Sequence, residues 1–220
     1  ASDVYKRQTE DIQHNIWILT DGGIAQYRRS SDDFAIPLDD RGHPILAYSA
    51  CLTEQGVIFG GRNRIYRYDY DSRSIKLLLD FSSDPYFAIS AISRWDEETL
   101  LCCSRWQGLR LINLRSGERR LPPFDCGKEI MALLIDSHNR IWLAPYNEGL
   151  RCFNPEGRLL ASYTTDNSGL SNNVVLSMAE RDSHIWVGTD GGGINIIHPD
   201  SHRITVLEHI PVSYTHRTLP

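Results

Sequence analysis

The chain is 220 residues long, 41% hydrophobic, and carries a formal net charge of −5. That length and apolar content fit one large all-β domain or two small ones, while the acidic balance removes the electrostatic ground for nucleic-acid binding, whose proteins carry basic patches. No apolar run approaches the roughly 18 residues of a membrane-crossing helix.

Residues 1–8 contain "DVYKRQ" and no apolar run. From Asn15 the chain reads "NIWILTDGGIAQY", two short strands around a glycine-bearing turn with Trp17 as anchor. Four further segments repeat this plan: "GVIFGGRNRIYRY" from Gly56, "TLLCCSRWQGLRLI" from Thr99, "RIWLAPYNEGLRCF" from Arg140 and "HIWVGTDGGGINII" from His184. The anchors Trp17, Ile58, Leu101, Trp142 and Trp186 recur every 41–44 residues. About ten residues upstream of the last four anchors stand the apolar runs "ILAYSAC", "AISAIS", "IMALLI" and "VVLSMA", and shorter runs such as "IKLLL" and "ITVL" follow the motifs. One unit therefore reads as four strands, A to D, and a period near 42 is the mark of a β-propeller blade. An immunoglobulin-like sandwich leaves that period without a cause. The blades are expected at about residues 9–40, 44–80, 88–123, 129–164 and 173–208.

The last unit contains Gly188-Thr189-Asp190-Gly191-Gly192-Gly193, with the glycine spacing of a phosphate-cradling loop. Such a loop needs a Lys and a following helix. Ile194-Asn195-Ile196-Ile197 follows instead, a β-branched run that favours strand. The glycines are read as a hairpin turn. Five cysteines are an odd number without zinc-type spacing, and neighbours such as "LLCCS" mark them as small core residues.

The Ile-Trp-(Ile/Val)-Gly-Thr…Gly-Gly-(Ile/Leu) signature, with Asn154-Pro155 and His198-Pro199 after it, resembles the two-component regulator propeller repeat. The stretch "NSGLSNNVVLSMAERDSHIWVGTDGGG" from Asn167 is especially similar. The resemblance spans about residues 9–211 and weakens in the third unit, where Leu101 replaces Trp. It departs from the family three residues before each Trp, where Gly is usual and His14, Asn139 and Ser183 stand.

The resemblance implies an all-β propeller fragment of about five four-stranded blades, an open incomplete arc of a larger, seven-bladed propeller. It implies the periplasmic sensor region of a hybrid two-component histidine kinase of Bacteroidetes type, membrane-anchored and able to form a homodimer as a whole receptor. Such a region detects an oligosaccharide, regulates polysaccharide-utilisation genes and has no catalysis or cofactor of its own. The ends depart from this plan. The offset of strand A in the fifth unit falls on Tyr5–Glu10 in the first, where no apolar run exists, so that strand is expected to be missing or replaced. Residues 1–8 and 212–220, with "SYTHRTLP", look like translated sequencing-adapter read-through, which leaves about Thr9 to Pro211 as the native stretch.

In a propeller the D–A and B–C connections share one face. Here they carry Arg62, Arg105, Trp106, Tyr146, Asn147, Glu148 and Asp190, together with Asp166–Ser168 and Ser171–Asn173. Aromatic rings that stack and amides and charges that pair hydroxyls suit a sugar, so the first seven are the candidate ligand-binding residues. His198 and His202 lie four apart, but in a C–D turn rather than on a helix, and are read as turn histidines. Two other functions fit a propeller: a lyase or glycan-active enzyme, and a protein-interaction scaffold. No nucleophile motif such as Gly-x-Ser-x-Gly occurs, and no metal or cofactor motif does either.

Overall fold

The computed structural model describes residues 5–39, 41–104, 107–127 and 129–207. Blade 1 consists of β1 (Tyr5–Glu10), β2 (Ile16–Thr20), β3 (Gly23–Arg28) and β4 (Asp33–Ala35). Blade 2 has β5 (Ser49–Thr53), β6 (Gly56–Gly60), β7 (Arg64–Asp69) and β8 (Ser74–Asp80). Blade 3 has β9 (Ile89–Arg94), β10 (Thr99–Ser104), β11 (Gly108–Asn113) and β12 (Arg119–Arg120). Blade 4 has β13 (Ile130–Ile135), β14 (Ile141–Pro145), β15 (Leu150–Phe153) and β16 (Leu159–Tyr163). Blade 5 has β17 (Val175–Arg181), β18 (His184–Thr189), β19 (Gly193–His198) and β20 (Arg203–Leu207).

Each sheet is a four-stranded antiparallel meander in sequence order, and the five sheets form a ring, a five-bladed β-propeller. The glycine run Gly191-Gly192-Gly193 is the β18–β19 hairpin turn, with Gly191 at φ +70° and Gly193 at φ +74°. That is a conformation in which a side chain is strained.

One expectation is corrected here. Blade 1 is complete: β1 pairs with β2 through Gln8↔Ile18, Thr9↔Trp17 and Glu10↔Ile16, so the strand expected to be missing or replaced is present. The physical reason is the place of the strand in the blade. An innermost strand satisfies its backbone through the ladder alone and turns side chains toward the wet axis, so it needs no apolar run. Arg7, Gln8 and Glu10 are accordingly exposed and Thr9 half-buried.

The core lies between blades. Trp17 packs with Ala47, Val57, Phe59 and Tyr68 of blade 2. Ile58 and Ile65 meet Ile89, Leu100 and Cys102 of blade 3, and Leu101 and Leu111 meet Ile141 and Leu143 of blade 4. Trp142 meets Val175, Ile185, Val187 and Ile197 of blade 5. Each anchor faces the next blade, which explains why anchors are large and apolar: burying such a side chain contributes about 1.5–3 kcal/mol. Among the described residues no such cluster joins blade 5 to blade 1. Ile16, Ile18 and Trp186, which occupy the matching positions, are half-buried.

The cysteines are core residues, as read. Burial pushes the thiols of Cys51 and Cys152 up to about 12 and that of Cys103 to about 11.

Candidate functional site

The D–A and B–C connections meet on one face, and the best-built part lies between blades 4 and 5. The connection 164–174 is tied on both sides: the N–H of Gly149 in the blade 4 turn donates to Asn173 O at 3.0 Å, and Asp190 N–H in the blade 5 turn donates to Val174 O at 2.9 Å. The amide of Asn172 donates to Asp190 O at 2.8 Å and accepts from Val174 N–H at 2.8 Å. Within the connection, Thr165 N–H donates to Asn173 Oδ1 and the Asn173 amide returns a bond to Thr165 Oγ1.

A buried relay holds this connection to the glycine turn. Asn195 is fully buried on β19. Its Oδ1 accepts Ser171 N–H at 3.0 Å and its Nδ2 donates to Ser171 Oγ at 2.7 Å. The Ser171 and Thr189 hydroxyls lie 3.0 Å apart, and Thr189 Oγ1 donates to Gly193 O at 3.1 Å. That last bond fixes the direction of the chain: amide to Ser171, Ser171 to Thr189, Thr189 to carbonyl. Thr20 makes the same bond to Gly23 O in blade 1. Sequence reasoning placed Ser171 on this face but missed the roles of Asn195 and Thr189, although "TDGG" recurs in both blades at Thr20 and Thr189.

The structure places Tyr146, Asn147 and Glu148 in the exposed β14–β15 turn, with the Tyr146 side of the turn anchored by its N–H to Glu129 O. Tyr146 is 54% exposed, Asn147 takes φ +58°, and the Glu148 carboxylate is paired with Arg151. Through the 164–174 connection these three share a rim with exposed Asp190. Arg62 lies in the β6–β7 turn of blade 2, exposed and away from that rim. Arg105 and Trp106 lie outside the described residues. Their neighbour Gln107 donates to both oxygens of Asp84 at 3.0–3.1 Å. Bonds from Arg119 and Gln107 hold the Asp84 carboxyl below its usual range.

His198 and His202 do not share a ligand. His198 packs edge-on against His184 with ring centroids 4.3 Å apart, and His202 bonds the Tyr163 hydroxyl at 2.8 Å. Among the described residues no three His, Cys, Asp or Glu side chains are placed to hold a metal ion.

The opposite face carries a second missed feature. Asp136 is buried, and its Oδ1 accepts the N–H groups of His138 and Arg140 at 2.9–3.0 Å. Its Oδ2 accepts Arg140 Nε at 2.7 Å and the Trp142 indole N–H at 2.8 Å. Asp11 caps Trp17 in the same way at 2.8 Å. An Asp six residues before a Trp was the available signal. In blade 5 that position is Glu180, which reaches across instead to Ser137 N–H of blade 4 at 2.7 Å. His14, Asn139 and Ser183, the departures from glycine, all take positive φ, at 63°, 59° and 60°.

Propellers of this build serve many roles, and the fold alone does not choose among them. Residues 169–191, from the 164–174 connection through β17 and β18 into the glycine turn, match the two component regulator propeller family. No curated protein matches the chain. Among solved structures, the extracellular domain of BT4673 from B. thetaiotaomicron, described as that of a putative hybrid two component system, is 20% identical with a TM-score of 0.67. A protein of unknown function from Bacteroides thetaiotaomicron is 12% identical with a TM-score of 0.69. PorZ, a bacterial surface component of the type-IX secretion system of Porphyromonas gingivalis, is 16% identical with a TM-score of 0.62. The chain is covered to 93%, 94% and 88% but spans only 30%, 58% and 36% of those three chains. At these identities the likeness is one of fold.

Proposed function

We propose that this chain is a non-catalytic, ligand-sensing propeller segment of a hybrid two-component sensor histidine kinase, lying in the periplasm, and that its ligand is an oligosaccharide. One observation carries the reading. The matched stretch 169–191 contains the connection that is hydrogen-bonded to the turns of two blades at once, and it thereby fixes a rim bearing Tyr146, Asn147, Glu148 and Asp190. A fixed rim with an exposed ring and polar groups that donate and accept suits stacking and pairing of sugar hydroxyls. A sensor works by binding one receptor arrangement better than another, and a rim shared by two blades reports any change in their relative position.

The test is calorimetric titration of oligosaccharides into the propeller and into variants Tyr146→Ala, Trp106→Ala and Asp190→Ala. The reading requires at least a tenfold weaker affinity in one of them. Turnover of a sugar would establish the enzyme reading instead, and unaltered affinity in all three would remove the rim from the site.

A further inference from the structure

The junction of blades 2 and 3 departs from the others in its anchor, Ile58, where blades 1, 4 and 5 carry Trp. Against Ile58 lies a cavity of about 430 Å³, bounded by the β5–β6 and β9–β10 turns on the face opposite the rim. Two arginines line it from facing sheets. Arg67 stands opposite Ile58 across the β6–β7 ladder, the place that Leu111, Cys152 and Ile196 hold opposite Leu101, Trp142 and Trp186. Ile58 packs against blade 3, so Arg67 faces blade 3 as well. Arg94 stands opposite Leu100 across the β9–β10 ladder, the place that Leu52 and Ile135 hold opposite Val57 and Ile141. Leu100 packs against blade 2, so Arg94 faces blade 2, and its charge reaches the Cys51 thiol there. Both arginines are half-buried, and neither forms an ion pair among the described residues.

The carboxylates nearby are of two kinds. Asp69, two residues along β7 from Arg67, accepts the N–H and the hydroxyl of Ser72 at 2.8 Å. Asp96 accepts Glu98 N–H at 2.9 Å, and Glu98 is paired with Arg115. Glu54 and Glu97, in the two turns at the mouth, are exposed and form no ion pair among the described residues. Buried Ile58 and Leu100 and half-buried Leu78 and Leu114 make an apolar floor.

We propose that this cavity binds a free α-amino acid with an apolar side chain, its carboxylate held by Arg67 and Arg94 and its ammonium by Glu54 and Glu97. Guanidinium groups brought together from two sheets repel unless an anion lies between them. A carboxylate, planar and two-pronged, matches their donor forks. A plain anion would also meet the carboxylates of Glu54 and Glu97, and a plain cation would meet the arginines. A neutral guest would leave both sets of charges unanswered. An α-amino acid carries both charges on one carbon and directs its side chain elsewhere, here onto the floor, where apolar area leaves water. The volume lies within the range of small-molecule sites. This site stands apart from the rim of blades 4 and 5 and needs no ligand there.

Isothermal titration calorimetry of the whole chain with leucine, phenylalanine, N-acetylleucine and leucinamide at millimolar concentrations tests it, with Arg67→Gln and Arg94→Gln as variants. Leucine is expected to bind. N-acetylleucine, which lacks the ammonium, and leucinamide, which lacks the carboxylate, should each bind at least tenfold more weakly, and leucine should bind each variant at least tenfold more weakly. Neither arginine is paired, so both variants are expected to melt near the parent, and either one carries the test should the other fail to fold. Absence of binding by leucine and phenylalanine, N-acetylleucine bound as tightly as leucine, or leucine binding unchanged in every variant that folds would each overturn the proposal. Leucine binding lost in Arg94→Gln but kept in Tyr146→Ala separates this site from the rim, and a rim that binds no oligosaccharide leaves it untouched.

Discussion

Replacing Asp136 by Ala removes an acceptor that serves four donors at once. The backbone N–H groups of His138 and Arg140 lie in a turn, where water replaces the carboxylate at little cost. The other two donors are worse placed. Trp142 is 1% exposed, so its indole N–H is orphaned, which costs about 1–3 kcal/mol. The Arg140 side chain is 17% exposed and keeps only Asp200 at 3.6 Å, itself fully exposed. Breaking a buried charge pair by removing one partner costs about 3–5 kcal/mol, and the two contributions together fall in that range. Domain stabilities are about 5–15 kcal/mol, so this variant is expected to lose a large fraction of its stability. Urea unfolding followed by tryptophan fluorescence measures the loss, with hydrogen exchange at the Trp142 indole locating it in blade 4. A loss below about 1 kcal/mol, the worth of one ordinary hydrogen bond, would refute the argument.

The same carboxylate predicts an acid response: burial pushes Asp136 up, but bonds from Trp142 and Arg140 outweigh it and leave the carboxyl below its ordinary 3.8. A depressed folded value stabilises the protein above the unfolded value and is lost as pH falls through the folded one, so the parent should lose stability faster than Asp136→Ala as pH drops below 3.8. In the turns, Gly149→Ala is expected to be severe, because a Cβ there would lie 2.1 Å from Tyr163 O, whereas Gly191→Ala meets nothing within 4 Å and should cost only the about 1–2 kcal/mol of a left-handed residue; thermal melts rank them. Ser183→Gly should stabilise by about 0.5–1 kcal/mol and Asn139→Gly by almost nothing, since Asn tolerates that region better than Ser; equal shifts in denaturant midpoint would contradict this. A thiol reagent at neutral pH is expected to leave Cys51, Cys102, Cys103 and Cys152 unmodified until the chain unfolds, because burial keeps their thiols protonated; fast native-state labelling at any of the four would count against their burial.

The blades were legible because burial repeats. Trp17, Ile58, Leu101 and Trp142 each face a neighbouring sheet, so each must be apolar, and the period appears in the letters. The strands "IMALLI" and "AISAIS" were likewise visible as apolar runs, whereas β1 was not, because its exposed side chains place no demand on residue type. The rim was legible only as polar turns. What organises it is a relay from Asn195 through Ser171 to Thr189, residues 24 and 18 positions apart, and no local pattern announces a contact of that reach.

The placement of polar groups between blades gives the ring its asymmetry. At the junction of blades 4 and 5, every polar interruption of the apolar contact is answered: Tyr163 meets His202, Ser171 meets Asn195, and Glu180 meets Ser137. At the junction of blades 1 and 2 the buried Tyr70 hydroxyl has no side-chain or backbone partner among the described residues. A junction with answered groups resists relative movement of its blades, since each bond broken would leave a buried group unpaired.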